Sequence, residues 1–570
     1  MTVVFAIALD GLLAAAFVWC VPVVVASSQE KSSLLGEIAR DYTAAGPRVG
    51  GRCVKVTVSR IASGEAEDVL ARGWDRASDG DPPTVWAPAA SSWLALLREH
   101  RSARHADDVL PAVSPSSLMQ SPLVVAMPEP MGRALGWPSR DIGWSELLAL
   151  ARDPGGWERL GHPEWGAFKL GKTNPTISTS GLHALIGSYV AAVGRPSVID
   201  ADLSDPKVQE FVRGVESSVV HYGDSVSTFL RNLLKADRRS EELRYVSAIA
   251  MEEKQVRDYN KGNPDSGPVA TELPPKTRLV AFHPRDGTLM ADHPYAVLNA
   301  PWVDSMQREA ADAFLGYLLT PPVQARFANA GFRDHAGLAG REISSENGLL
   351  ASGPFVVLPP PAASILTRMQ ASWDDLRKRA HLLIAIDTSS AMGETLPGGG
   401  TKLELAKRAA KAALDELSAD DAVGIWVFAA GVAANAPYRE LAPIAPLASR
   451  RETLGALIDG LSSGGEPSLF AATRAAVRHL GAVFDAKRID AVILLASGRN
   501  AGADGDIIAL QRELENQKED LWIRVFGVTY GSAADAVALQ KIAEASLAND
   551  YRALDSATIG RVISAMLSNF

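Results

Sequence analysis

Cysteine is scarce in this chain of 570 residues: only Cys20 and Cys53 are present, so one disulfide is the most it can form. An excess of basic charge is missing too. Lys and Arg number 57 against 66 Asp and Glu, a net charge of −9. A phosphate backbone needs a basic face, so this balance argues against nucleic acid as the main partner. No Lys or Arg precedes Lys31, so the amino terminus lacks the positive region of an ordinary export signal. No low-complexity tract interrupts the composition, which is that of an ordered protein. The ten histidines show no HExxH or other metal spacing, and His162, His183 and His221 are scattered. No Ser-His-Asp set, carboxylate pair or cofactor fingerprint stands out.

The chain is too long for one core, so two to four domains are expected. Val3 to Trp19 is an apolar run long enough for a signal segment and short for a membrane span. Asp10 sits in its middle and would cost roughly 3 kcal/mol at a bilayer centre. The reading taken is an export or anchor segment; the alternative is a buried amino-terminal helix. Two apolar strands, VPVVVASS and VKVTVS, flank a helical segment, and a cysteine precedes each. In a βαβ unit with adjacent parallel strands, Cys20 and Cys53 start side by side. A disulfide there would stabilise by roughly 3 kcal/mol and implies an oxidising compartment. The alternatives are two unrelated thiols, or a lipoprotein cysteine at Cys20, which bulky Trp19 disfavours.

Strands and helices follow in order. ASGEAEDVLARGWD and SSWLALLREH read as helices, PTVWAP and SPLVVAMPEPM as strands. TNPTISTSG opens the helix LHALIGSYVAAVG. RYVSAIAMEE reads as strand and turn, and Asp304 to Gly331 as two helices. ASGPFVVLPPPAA reads as a stiff connector and SILTRMQASWDDLRKRA as the helix after it. From His381 onward, strands alternate with helices, the pattern of a doubly wound parallel sheet.

The order from Val21 to Arg333 resembles the type 2 periplasmic-binding-protein fold. The pieces that carry this are VPVVVASSQEK, the Ser63-Gly64 turn, SPLVVAMPEPM and the tail AADAFLGYLLTPPVQARFANAGFR. The resemblance implies two lobes, two crossings between them and a ligand cleft at the hinge. From Arg379 to the end, beginning with RAHLLIAIDTSSAM, the chain resembles a von Willebrand factor A (VWA) domain. The two halves together, with HPEWGAFKLGKTNP and GVESSVVHYGD, resemble actinobacterial proteins that join a substrate-binding domain to a VWA domain. The division expected is a signal or anchor segment over 1–19, a solute-binding domain over 20–345, a linker and helix over 346–378, and a VWA domain over 379–570.

Ser63, Ser91, Ser92, Ser178, Thr179 and Ser180 lie at strand-to-helix turns. Helix amino termini there suit a small polar or anionic ligand; plain helix capping is the alternative. Glu252, Glu253 and Lys254 face either the cleft or solvent. Trp86, Trp93, Trp137, Trp144, Trp157 and Trp165 either stack on a ring ligand or pack the core. In the VWA family the metal loop reads Asp-x-Ser-x-Ser. Here Asp387 and Ser389 match, while Ala391 replaces the second serine. Pro467 stands at the usual threonine, with Ser468 one residue later, and Ser497-Gly498 replaces the usual Asp-Gly. One carboxylate leaves most of a Mg²⁺ charge unbalanced, so Asp387, Ser389, Ser468 and Ser497 make a degenerate site. Glu466 is the only nearby carboxylate in sequence that could compensate. Gly398 to Lys402 reads as a glycine-rich turn capped by Thr401; Thr precedes Lys, the reverse of a phosphate loop.

These readings point to an extracytoplasmic, membrane-attached, non-enzymatic ligand-binding and protein-interaction protein, its protein partner meeting the VWA face. One alternative is a solute receptor of an ABC transporter with the VWA domain as a dock. Another is an accessory subunit for metal insertion or chaperoning.

Overall fold

A computed structural model describes residues 20–351, 355–396, 399–434, 436–501, 504–517, 522–530, 532–553 and 559–570. The apolar segment Val3 to Trp19, and with it the export or anchor reading, lies outside them. Three six-stranded sheets organise the described residues.

The first sheet runs Arg48–Val49, Arg52–Arg60, Val21–Ser27, Val85–Ala87, Pro294–Val297, Ser116–Ser117. Its central strand is apolar because helices cover both faces. Val21 pairs with Val54 in parallel register. This sets Cys20 beside Cys53, and they form a disulfide with Cα atoms 4.5 Å apart. The second sheet runs Leu279–Phe282, Ser121–Pro128, Ala248–Glu252, Leu170–Gly171, Val219–His221, with Met290–Ala291 also on Ser121–Pro128. The chain leaves the first sheet after Ser117 and enters the second at Ser121. It returns between Ala291 and Pro294. These are the two crossings expected of paired lobes, and His293 lies in the second with φ at +40°.

The third sheet runs Tyr438–Pro446, Ala422–Phe428, Arg379–Asp387, Arg488–Ala496, Arg524–Thr529, Asp550–Arg552. All its pairs are parallel except the first. The nine residues Tyr438–Pro446 form an antiparallel edge strand, where the alternation of strands and helices predicts a wholly parallel sheet. Pro443 and Pro446 suppress a strand reading, yet prolines are tolerated where a strand has a free edge. The connecting helix spans Ala363–Leu376. It was expected to reach Ala380, but Arg379 already belongs to a strand.

The third unit touches both lobes. On the second lobe, Asn232 Nδ2 donates to the Leu547 carbonyl at 3.0 Å and Tyr222 N donates to the Asn569 carbonyl at 3.0 Å. Asn549 Nδ2 donates to Thr228 Oγ1 at 3.3 Å. On the first lobe, Arg561 lies 3.9 Å from Glu65 and donates to the Ser78 carbonyl. A cavity of about 980 Å³ lies between lobes and third unit, with Gln29, Asp68, Asp224, Trp373, Glu416 and Phe570 in its wall.

Candidate functional site

Five helices among the described residues begin at the seam between the lobes: Gln29–Ala44, Ser63–Arg72, Thr179–Val193, Val226–Arg239 and Glu253–Asn260. Ser28, Ser178 and Ser225 stand at N-cap positions, and none of the three side chains caps its own helix. Positive dipole ends therefore point at one cleft, with Gly64 N already taken by the Ile177 carbonyl and the helix Glu253–Asn260 closed by its own capping box. The cleft is small, about 40 Å³, room for roughly three waters. It shares Gln29, Ala62, Ile177 and Asp224 with the wall of the large cavity, so the two are neighbours.

The lobes close tightly. Gly64 N donates to the Ile177 carbonyl at 2.9 Å across the seam. A Cβ on Gly64 would sit 2.0 Å from the Thr176 carbonyl oxygen, so only glycine allows this approach.

Of the serines and threonine named from sequence, Ser63, Ser178, Thr179 and Ser180 line this cleft. Ser63 Oγ also accepts from Ala89 N, and Thr179 Oγ1 accepts from Trp93 Nε1 at 2.8 Å. Ser91 and Ser92 are not in the lining. Ser91 donates to Asp292, and Ser92 lies against His183; both begin a helix whose start meets the crossing between Ala291 and Pro294. The six tryptophans are buried and none lines the cleft, which makes them core. Sequence reasoning missed Asp224, Ser225 and Ser227, because the helix Val226–Arg239 was not read. Its signal was available: an Asp-Ser pair before an amphipathic run.

The cleft also holds carboxylates. Glu30 and Glu252 face it along with Asp224. Burial works to raise the Glu30 pKa, but Lys31 and His293 beside it prevail and hold it at about 2. Burial and the Glu30 charge push Glu252 well above the carboxylate range. Burial and Lys31 bring His293 down to about 3, which leaves a neutral imidazole. Glu253 and Lys254, left open between cleft and solvent, face neither: Glu253 pairs with Arg333 and His283, and Lys254 with Asp258.

In the third unit, Asp387 ends the strand Arg379–Asp387 and is fully buried. Its Oδ1 accepts from Ser389 N at 2.8 Å; its Oδ2 accepts from Ser497 N at 3.1 Å and Ser497 Oγ at 2.7 Å. The three converge. Ser468 does not join them: its hydroxyl donates to the Pro437 carbonyl at 3.4 Å. Glu466 is exposed. Arg499, two residues after Ser497, pairs with Glu394 and Asp535 at this sheet end. Thr401 caps the helix Lys402–Glu416, accepting from Glu404 N at 3.2 Å while Glu404 accepts from Thr401 N.

Paired lobes, two crossings and a cleft ringed by helix amino termini define a cleft-binding protein with a doubly wound VWA-like unit attached. Residues 23–333 match the family model for bacterial extracellular solute-binding proteins, and the chain belongs to that family. An uncharacterized protein of Mycobacterium tuberculosis (strain ATCC 25618 / H37Rv) is 24% identical over 522 residues, covering 90% of this chain and 71% of that protein. The sulfate-binding protein SubI from M. tuberculosis H37Rv is 15% identical, covering 60% of this chain and 92% of its own, with a TM-score of 0.35. A periplasmic thiamin binding protein gives 11%, 63%, 96% and 0.42 for the same measures. A von Willebrand factor type A protein from Catenulispora acidiphila gives 19%, 34%, 42% and 0.27.

Proposed function

We propose that this chain is a non-enzymatic, extracytoplasmic receptor that closes its two lobes on a small polar solute. The observation that carries this reading is the convergence of five helix amino termini on one interlobe cleft. Hydroxyls and N–H groups offer donors, while Glu30 and Asp224 offer acceptors. Lys31 already balances Glu30, but the half-buried Asp224 works against an oxyanion, so the set favours a solute with donor groups of its own over sulfate or phosphate. Thermal-shift screening of the full chain against sugars, amino acids, amines, sulfate and molybdate tests this. A stabilising hit that Gly64→Val abolishes supports the reading; no hit in any class overturns it.

The VWA-like face serves as a protein-binding surface without a metal. What supports this is that both Asp387 oxygens already accept hydrogen bonds from the loops that carry metal ligands elsewhere. Titration calorimetry with Mg²⁺ and Mn²⁺ decides it: micromolar binding that Asp387→Ala removes would refute the metal-free surface. The segment Val3 to Trp19 attaches the protein to the membrane on this reading. Alkaline carbonate extraction of membranes checks it, and release of the full chain into the supernatant counts against attachment.

A further inference from the structure

Beneath the cleft three side chains from three parts of the fold meet. Glu30 comes from the first lobe, at the start of the helix Gln29–Ala44. Glu252 comes from the second, at the end of the strand Ala248–Glu252. His293 comes from the chain returning between them. One donor atom from each lies within 4.8 Å of the others. His293 Nδ1 is 3.5 Å from Glu30 Oε1, and Nε2 is 3.3 Å from Glu252 Oε2. His293 is 0% exposed and Glu252 3%. Both ring nitrogens and Glu252 Oε2 lack a hydrogen-bond partner among the described residues.

Buried polar atoms without partners are expensive, at about 1–3 kcal/mol each. Three such atoms meet in this cluster, two of them on His293, whose own φ is positive, and this singles the cluster out as a candidate site. The donor set is one imidazole and two carboxylates, and it matches first-row divalent ions better than Mg²⁺ or Ca²⁺.

We propose that Glu30, Glu252 and His293 bind a divalent transition-metal ion, with Zn²⁺ as the working example, clasping the lobes at the floor of the cleft. The proposal rests on the cleft reading only in that the ion must reach the site through it. Lys31 argues for a competitor. Its ammonium bonds to Ser28, Glu30 Oε1 and the Pro88 carbonyl, and so shares Glu30 with any ion. A plain buried ion-pair cluster and a metal site therefore respond in opposite ways to loss of Lys31.

The test is titration calorimetry of the untagged, chelator-treated full chain with zinc chloride, with magnesium chloride as comparison. One Zn²⁺ per chain is expected, with Mg²⁺ binding far weaker. His293→Gln and Glu252→Gln should each weaken Zn²⁺ at least about tenfold, Asp387→Ala should leave it unchanged, and Lys31→Met should keep or tighten it. X-ray absorption of the zinc-loaded wild type needs no variant: a nitrogen and oxygen shell with one imidazole is expected. No stoichiometric zinc, no imidazole in that shell, or equal affinity in the His293 and Glu252 variants would overturn the site. Zinc binding with no hit among the solutes sinks the receptor reading alone; solute binding without zinc sinks this site alone.

Discussion

Glu216 shows how a single side chain ties the solute-binding half to the rest. It is fully buried and pairs with the equally buried Lys172. It also accepts from Tyr222 Oη at 2.7 Å and from Trp373 Nε1, on the connecting helix, at 3.1 Å. Replacing one partner of such a pair strands a charge, at about 3–5 kcal/mol. Lys172→Met should therefore lower stability by that order in urea titrations, and Lys172→Met with Glu216→Gln by less. Glu129 gives the pH counterpart. Hydrogen bonding and charge from Arg278, then Arg133, hold its pKa at about 2. A carboxylate depressed on folding stabilises above its unfolded value, about 4.3, and that contribution fades as pH falls toward 2. The stability gap between wild type and Glu129→Gln should be full at pH 6, down to about a quarter at pH 2.5, and close only below pH 2. Neither residue was legible in the sequence, because the main partner of each, Lys172 for Glu216 and Arg278 for Glu129, lies far along the chain. Asp387 was legible, because its neighbours in the chain are part of its site.

At the scale of elements, the βαβ start read cleanly, since the period of each apolar run and the cysteines agree on one register. Cys53→Ala opens a loop with a sequence separation of 33. Chain entropy makes that worth about 3–4 kcal/mol, so the variant should melt earlier without reductant and match the reduced wild type. The edge strand Tyr438–Pro446 was illegible because its prolines are acceptable only once a free edge exists. The start of the helix Ser63–Arg72 carries a sharper expectation. Gly64→Ala puts a methyl where the Thr176 carbonyl stands, so the lobes must part or the turn must shift. Small-angle scattering should show a larger radius of gyration for this variant, and a radius equal to wild type would mean the seam yields locally.

The whole molecule adds a coupling that no local pattern announces. The third unit grips the second lobe through Asn232 and Leu547, both buried, and through Tyr222. Among the described residues it reaches the first lobe through the half-exposed Arg561, and the connecting helix Ala363–Leu376 also packs there, with Thr367 Oγ1 3.3 Å from His100 Nε2. Buried hydrogen bonds outlast exposed ion pairs, which are worth about 0–1 kcal/mol. The third unit therefore holds the second lobe more firmly than the first, and opening the cleft releases Arg561 from Glu65 and Ser78 together with the contact of the connecting helix at His100. Coupling of this kind is reciprocal: a solute that closes the lobes tightens Arg561 docking, and docking favours closure. Arg561→Ala should raise hydrogen exchange of the amides at Ser63 to Ala66, by at most about fivefold for a contact of that strength. The central strand Arg379–Asp387 should be unaffected. Mass-spectrometric exchange on the full chain reads both regions at once; wild-type rates at Ser63 to Ala66 would mean the lobes open without regard to the third unit.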